Sequence, residues 1–192
     1  MKKLITILSG VVLVNLSMMA QGTISFRNIA AGFNQPIKDV NGVNIAAGAA
    51  YTIELLAGTT AGSVAPLSTP IVTSTWVGSG WFGVGDADKV MPGFAGGSFP
   101  FLQVRVWNNS GGVNSYAAAL AAGQAYEPSA VWQLVAGGGI SGLGNPSAVP
   151  ATLAPALFGF TGFTLVPVVP EPSTIALGVL GIGALLLRRY RK

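Results

Sequence analysis

Hydrophobic and polar residues alternate over several short stretches of this chain, with glycine, proline and asparagine between them. The clearest stretch is residues 101–107, where Leu102, Val104 and Val106 alternate with polar residues. Residues 51–56 alternate in the same way. A period of two, bounded by turn-forming residues, is typical of β-strands with one face buried.

Five more stretches, weaker but of the same kind, are predicted as strands: residues 23–28, 70–76, 80–84, 130–135 and 158–166. Only residues 115–122, rich in alanine and followed by Gly123, favour a helix. Asn41-Gly42 is typical of a hairpin turn, whereas Pro92-Gly93 and Gly96-Gly97 are predicted to interrupt the chain before residue 101. The fold class predicted is all-β, a single sandwich or jelly-roll-like domain over residues 21–166, with a long loop at 137–155.

The first twenty residues have the three-part pattern of a secretory signal peptide. Lys2 and Lys3 precede an apolar run from residue 4 to 16, and Ala20 suits the position before a cleavage site. Cleavage after Gly22, and an uncleaved N-terminal anchor, are the alternatives. The pattern predicts that the body of the protein is exported.

A second apolar run lies near the C-terminus and is followed by a basic cluster. Residues 174–187 contain no charge, and as a helix they would extend about 21 Å. A bilayer core is about 30 Å thick, so the predicted transmembrane helix over 174–192 is short and suits a transient anchor. Basic residues favour the cytoplasmic side, which predicts a cytoplasmic C-terminus; they are Arg188, Arg189, Arg191 and Lys192. A buried core helix is the alternative, but such a helix would carry a polar stripe.

A proline-rich tether at 167–173 joins the body to this run and contains Pro170, Glu171, Pro172 and Ser173. Together with the apolar run and the basic end, this tetrapeptide resembles the PEP-CTERM sorting signal of Gram-negative bacteria. The resemblance implies an exosortase as partner, a membrane-embedded cysteine transpeptidase-like enzyme that cleaves near the motif. It also implies a mature protein at the cell surface or in the extracellular matrix of biofilm-forming, exopolysaccharide-producing bacteria.

The net charge of +4 suggests a polyanion partner until the charges are located. Most basic residues lie at the two ends, outside the predicted body. Residues 21–166 contain four basic and five acidic residues, which gives them a net charge of −1. A body without a basic patch lacks the electrostatic footprint of nucleic-acid binding, so we exclude that class.

Histidine and cysteine are both absent. Their absence removes the Ser-His-Asp and Cys-His types of catalysis and the usual zinc sites, and we expect no catalytic residues, metal or cofactor. The remaining hypotheses are a glycosidase pair among Glu54, Asp86, Asp88 and Glu127, and a calcium loop at Asp86–Asp88. Gly137, Gly139 and Gly142 match a dinucleotide-binding spacing, but Pro146 prevents the helix that such a site requires.

Tryptophans remain as candidate ligand contacts, because aromatic rings stack on sugars. Core packing is the commoner use of aromatic residues in small β domains. Trp107 is predicted to face outward beside Gln103 and Arg105, and these three residues are the candidate carbohydrate contact. The function predicted is therefore an exported, non-enzymatic structural or adhesive surface protein, and the alternative is an exopolysaccharide-binding or -processing module.

Overall fold

A computed structural model describes residues 21–136, 142–148 and 150–168. The predicted signal peptide, the sorting motif at Pro170–Ser173 and the basic anchor lie outside the described residues. Within the described ranges, no helix is both long and apolar enough to cross a membrane.

Short strands dominate the described chain. They are β1 (Gln21–Ile24), β2 (Ile29–Ala30), β3 (Phe33–Asn34), β4 (Tyr51–Gly58), β5 (Ala65–Thr73), β6 (Trp76–Gly78), β7 (Trp81–Phe82), β8 (Lys89–Ala95), β9 (Phe101–Asn108) and β10 (Trp132–Gln133). Helical structure in these ranges is confined to the 3₁₀ turn Ala61–Ser63 and to one α-helix, α1 (Tyr116–Ala121). The prediction of an all-β body is confirmed.

A four-stranded antiparallel sheet in the order β10-β9-β4-β5 forms the largest element. β4 and β9 pair along their whole length, from Tyr51 opposite Asn108 to Gly58 opposite Phe101. The inward side chains of both strands are fully buried, as their alternation predicted: Ile53, Leu55, Leu102, Val104 and Val106.

The hydrophobic core lies on this inner face of the sheet. Against it pack Ile24 from β1, Phe82 from β7 and Met91 from β8, together with buried residues from the connecting segments. β1 pairs with β8, and β2–β3 and β6–β7 are separate two-stranded pairs. The arrangement fits a β-sandwich, and the jelly-roll-like topology stays a prediction.

Asn28 joins three of the segments that have little regular structure. Its buried carboxamide nitrogen donates to the carbonyls of Gln35 (2.7 Å) and Gly80 (2.9 Å). Its carboxamide oxygen accepts from the Phe82 amide at 2.9 Å. Backbone groups that have no partner in a strand are thus satisfied by one side chain, as buried polar groups require.

Two of the local predictions are confirmed. Gly42 has φ +75° in a tight turn in which its amide donates to the Asp39 carbonyl, and Lys38 and Asn44 pair on either side. The helix α1 begins after Ser115, whose hydroxyl accepts from the Ala118 amide at 3.2 Å.

The strand predicted over residues 158–166 is wrong. Phe158 and Phe160 are buried there, but the segment is held by single backbone hydrogen bonds rather than by a ladder. Gly159 has φ +92°, which turns the chain out of the extended conformation. At Gly162 a Cβ would lie 2.1 Å from the Pro36 carbonyl oxygen, so only glycine fits that approach.

The turn predicted at Pro92-Gly93 is also wrong, because both residues lie within β8. β1 pairs with β8 at Lys89, Val90 and Met91 and again at Ala95, with a register shift between. Proline is tolerated in a strand where no ladder hydrogen bond is needed from its nitrogen, and this irregularity supplies such a place.

Replacing Asn28 with alanine should destabilise the fold strongly. The change leaves the Phe82 amide and the Gln35 carbonyl without this partner and removes one of the two hydrogen bonds to the Gly80 carbonyl, which should lower the free energy of unfolding by about 3 kcal/mol. Urea denaturation of the purified protein measures this. The matched control is Asn41→Ala, at an exposed position, where a change within about 0.5 kcal/mol is expected. Equal stabilities for the two variants would contradict the role given to Asn28.

Candidate functional site

The outer face of β4 and β9, opposite the main core, carries most of the polar side chains of these strands. Thr52 and Glu54 project there from β4, and Gln103, Arg105 and Trp107 project there from β9. The alternation predicted correctly that Gln103, Arg105 and Trp107 share the outer face of β9, and the pairing with β4 places Thr52 and Glu54 beside them.

This face is covered rather than open, because the chain after β9 folds back over it. α1 packs against β9, with Ala119 and Ala125 in contact with Trp107. Residues 124–129 then run beside β9, where the Tyr126 amide donates to the Val106 carbonyl at 3.1 Å. The Ser129 amide donates to the Val104 carbonyl at 2.9 Å. The result is a second, smaller apolar cluster on the outer side of the sheet.

Trp107 lies at the centre of this second cluster, and only 2% of its surface is exposed. Its indole nitrogen donates to the Val113 carbonyl at 3.1 Å. Its ring packs edge-on against the Tyr116 ring, with 6.3 Å between the ring centroids. The Trp107 side chain projects from the outer face of β9, as predicted. The prediction that its ring is exposed is wrong, because α1 and its flanking loop cover it.

Arg105 and Gln103 also have partners within the protein. The Arg105 Nε donates to Glu54 Oε2 at 2.8 Å, and its guanidinium lies 4.5 Å from the centre of the Tyr116 ring. The Gln103 amide donates to the Ser129 carbonyl at 2.8 Å. Contact of these three residues with carbohydrate stays a prediction, since each already has partners in the fold.

Two of the acids considered for glycoside hydrolysis are engaged within the fold. Glu54 is 5% exposed and paired with Arg105, whereas Asp86 Oδ2 accepts from the Thr73 hydroxyl at 2.6 Å. Asp88 and Glu127 are exposed on other segments. Within the described ranges, no group of three or more acidic, histidine or cysteine residues is placed to hold a metal ion.

A groove of about 460 Å³ opens beside Trp107, at one end of the covered face. Its lining carries no charge and consists mainly of hydroxyl, amide and small apolar groups: Thr52, Val72, Thr73, Ser74, Trp107, Asn109, Val113 and Asn114. The side-chain carboxamide nitrogen of Asn109 donates to Thr52 Oγ1 at 2.9 Å, which fixes both side chains. Such a lining suits a neutral, hydroxyl-rich ligand.

Sequence analysis missed this groove. The side chains of Thr52, Ser74 and Asn109 come from three segments that are distant along the chain, and only the β4–β5–β9 pairing brings them together. The one usable signal was the polar alternation that placed Thr52 on the outer face.

The chain leaves the body at the edge of the same covered face, through residues 163–168, which we call the strap. Pro167 pairs with Tyr126 antiparallel, and Val168 packs against the Trp107 cluster. The sequence predicted a tether from residue 167, but Pro167 and Val168 are docked on the folded body.

Comparisons with known proteins identify the segment that follows the strap. Residues 168–192 match the family model described as the PEP-CTERM protein-sorting motif. The chain therefore carries a PEP-CTERM sorting motif, which indicates an exported protein with a C-terminal sorting region that an exosortase processes. Neither the curated proteins nor the solved structures gave a match.

The packing of Tyr126 against the main core should make the stability of the protein sensitive to alkaline pH. Burial, with a further contribution from Tyr51 nearby, raises the pKa of Tyr126 to about 12, above its ordinary value of 10.0. The folded state therefore holds this proton more tightly than the unfolded state does. The resulting stability is fully present below pH 10 and is lost as the pH rises toward 12.

Tyr126→Phe should remove the loss of stability at alkaline pH that comes from this phenol. It keeps the aromatic ring, whose centroid lies 5.8 Å from that of Tyr51. Urea denaturation between pH 8 and pH 11.5, followed by circular dichroism, measures the slope of stability against pH for both proteins. Identical slopes would mean that Tyr126 does not titrate differently in the folded state.

Proposed function

We propose that this protein, which carries a PEP-CTERM sorting motif, is a non-enzymatic protein of the cell surface or extracellular matrix. Its β body has a structural or adhesive role. The observation that carries the proposal is the match of residues 168–192 to the sorting motif. In this proposal the precursor is anchored transiently in the membrane by its C-terminal segment, with the body outside and the C-terminus in the cytoplasm. The exosortase then cleaves it near Pro170–Ser173.

The chemistry of the body supports a structural rather than a catalytic role. Glu54 and Arg105 neutralise each other at 2.8 Å, and Asp86 is bonded to a hydroxyl. Both acids are thus engaged within the fold, whereas general acid–base catalysis of glycoside hydrolysis requires two carboxyl groups that face each other across a cleft.

The edge strand β5 supports an adhesive role. Residues 55–85, which include β5, contain no charged residue, and Val72 on this strand is 42% exposed. Edge strands without charge are prone to pair with other chains or polymers. Pro66 and Pro70 within β5 limit the backbone donors at that edge, which favours weak, multivalent contacts over fibre formation.

Processing of the sorting motif is tested with Glu171→Ala. Wild-type protein in the producing bacterium should reach the surface or the medium with a mass that lacks residues 173–192. Glu171→Ala should stay in the membrane fraction at the mass of the precursor. Cell fractionation followed by intact-mass measurement distinguishes the two forms.

Asp88→Ala is the matched control, since it removes an exposed carboxylate from the body and should be processed like the wild type. Wild-type protein that keeps residues 173–192 in every fraction would overturn the proposed processing.

A carbohydrate-binding module is the second candidate function, and the groove beside Trp107 is the observation that favours it. Sugar hydroxyls both donate and accept hydrogen bonds, as do the hydroxyl of Ser74 and the amides of Asn109 and Asn114. The uncharged lining suits neutral sugars better than uronic acids, because it offers no cation to a carboxylate.

Titration calorimetry with neutral oligosaccharides from the bacterium's own exopolysaccharide tests this alternative. Asn114→Ala in the groove should weaken binding about tenfold, the equivalent of one lost hydrogen bond of about 1.4 kcal/mol. Gln103→Ala on the covered face should bind like the wild type. The reverse order would assign binding to Arg105 and Gln103 on the covered face, and no heat with the wild type would remove the alternative.

A further inference from the structure

The strap is held on both sides by backbone hydrogen bonds. On one side, the Lys38 amide donates to the Phe163 carbonyl, and the Leu165 amide donates to the Lys38 carbonyl, both at 2.9 Å. On the other side, the Glu127 amide donates to the Val166 carbonyl at 2.8 Å, and the Val168 amide donates to the Ala125 carbonyl at 3.0 Å. The strap thus adds a short strand to the edge formed by residues 125–127.

The two halves of the strap are buried to different extents. Leu165 is 1% exposed and belongs to the main core, which ties the first half firmly to the body. In the second half, Val166 is 48% exposed and Val168 is half-buried against the Trp107 cluster. Local opening follows the segments with the fewest buried contacts, so residues 166–168 should detach while Leu165 stays in place.

The docked end leaves very little chain before the sorting motif and the apolar segment. The match to the motif begins at Val168 itself, and Pro170 is only two residues further on. Five residues, 169–173, separate Val168 from the apolar segment at 174, and they span about 18 Å at full extension. The folded body therefore ends only a few residues before the peptide bonds that the processing enzyme must reach.

We infer that residues 166–168 act as a latch, which must detach from residues 125–127 before the sorting motif can enter the exosortase. This inference rests on the proposed processing and assigns its regulation to the body. Cleavage of a chain that is reached only through transient opening follows the population of the open form. Detachment breaks no covalent bond; it precedes the peptide-bond cleavage and lengthens the accessible chain by three residues, about 10 Å.

A substitution on the receiving edge tests the latch without changing the motif. Glu127→Pro removes the amide that donates to Val166 and places a ring carbon where its hydrogen lay. The latch should then open more often, and the rate of processing should rise at least fivefold. Glu127→Gln, which keeps the amide and removes only the charge, is the matched control and should stay within twofold of the wild type.

An insertion provides an independent test. Five residues, Gly-Ser-Gly-Ser-Gly, inserted between Val168 and Val169 supply free chain without opening the latch, and they should also raise the rate at least fivefold. The same insertion between Gly111 and Gly112, in the exposed turn after β9, should leave the rate unchanged. Pulse-chase labelling in the producing bacterium, with intact-mass measurement of the product, gives the rates.

The outcomes separate the latch from the processing on which it depends. Faster processing of Glu127→Pro and of the Val168 insertion, with both controls at the wild-type rate, supports the latch. Wild-type rates for both test variants would overturn it, and if Glu127→Pro fails to fold by circular dichroism, the insertion alone decides. A wild-type protein that is never cleaved would overturn the proposed processing together with the latch.

Discussion

The buried carboxamide of Asn28 is the constraint on which the irregular half of this fold depends. Through it, the segment after β1 is bonded to Gln35 and to the β6–β7 turn at Gly80 and Phe82. Lys38, three residues after Gln35, is bonded in turn to the strap. Losing the Asn28 bonds would therefore loosen the layer that covers the sheet and also the support of the strap.

The regular half of the fold could be predicted from the sequence because hydrophobic and polar residues alternate along its strands, and this alternation shows which side chains are buried. Leu102, Val104 and Val106 alternate with polar residues, so their burial follows from the pattern alone. The same pattern assigns Trp107 to the outer face but cannot tell whether another layer covers that face. The cover comes from α1 and residues 124–129, whose packing is decided by tertiary contacts. For the same reason Asn28 carries no signal in the sequence, and the groove beside Trp107 carries only the alternation that places Thr52 on the outer face.

The sorting motif and the body are linked more closely than their order along the chain suggests. A sequence with a proline-rich stretch before a hydrophobic segment indicates a tether, and prolines alone cannot distinguish a free tether from a docked one. Here Pro167 pairs with Tyr126, and Val168 contacts the cluster around Trp107. The aromatic residues of the covered face thus have a structural role, since the cluster around Trp107 forms the surface on which Val168 packs.

Hydrogen–deuterium exchange tests most directly the central claim that the folded body extends to Val168. In the purified precursor, the amides of Leu165 and Val168 should both be protected relative to an unstructured chain, and Leu165 should be protected more strongly. The Glu127 amide, which donates to Val166, should be protected to a similar degree as Val168. Exchange of Val168 and Glu127 at the rate of an unstructured peptide, with Leu165 still protected, would show a free tether and contradict the account.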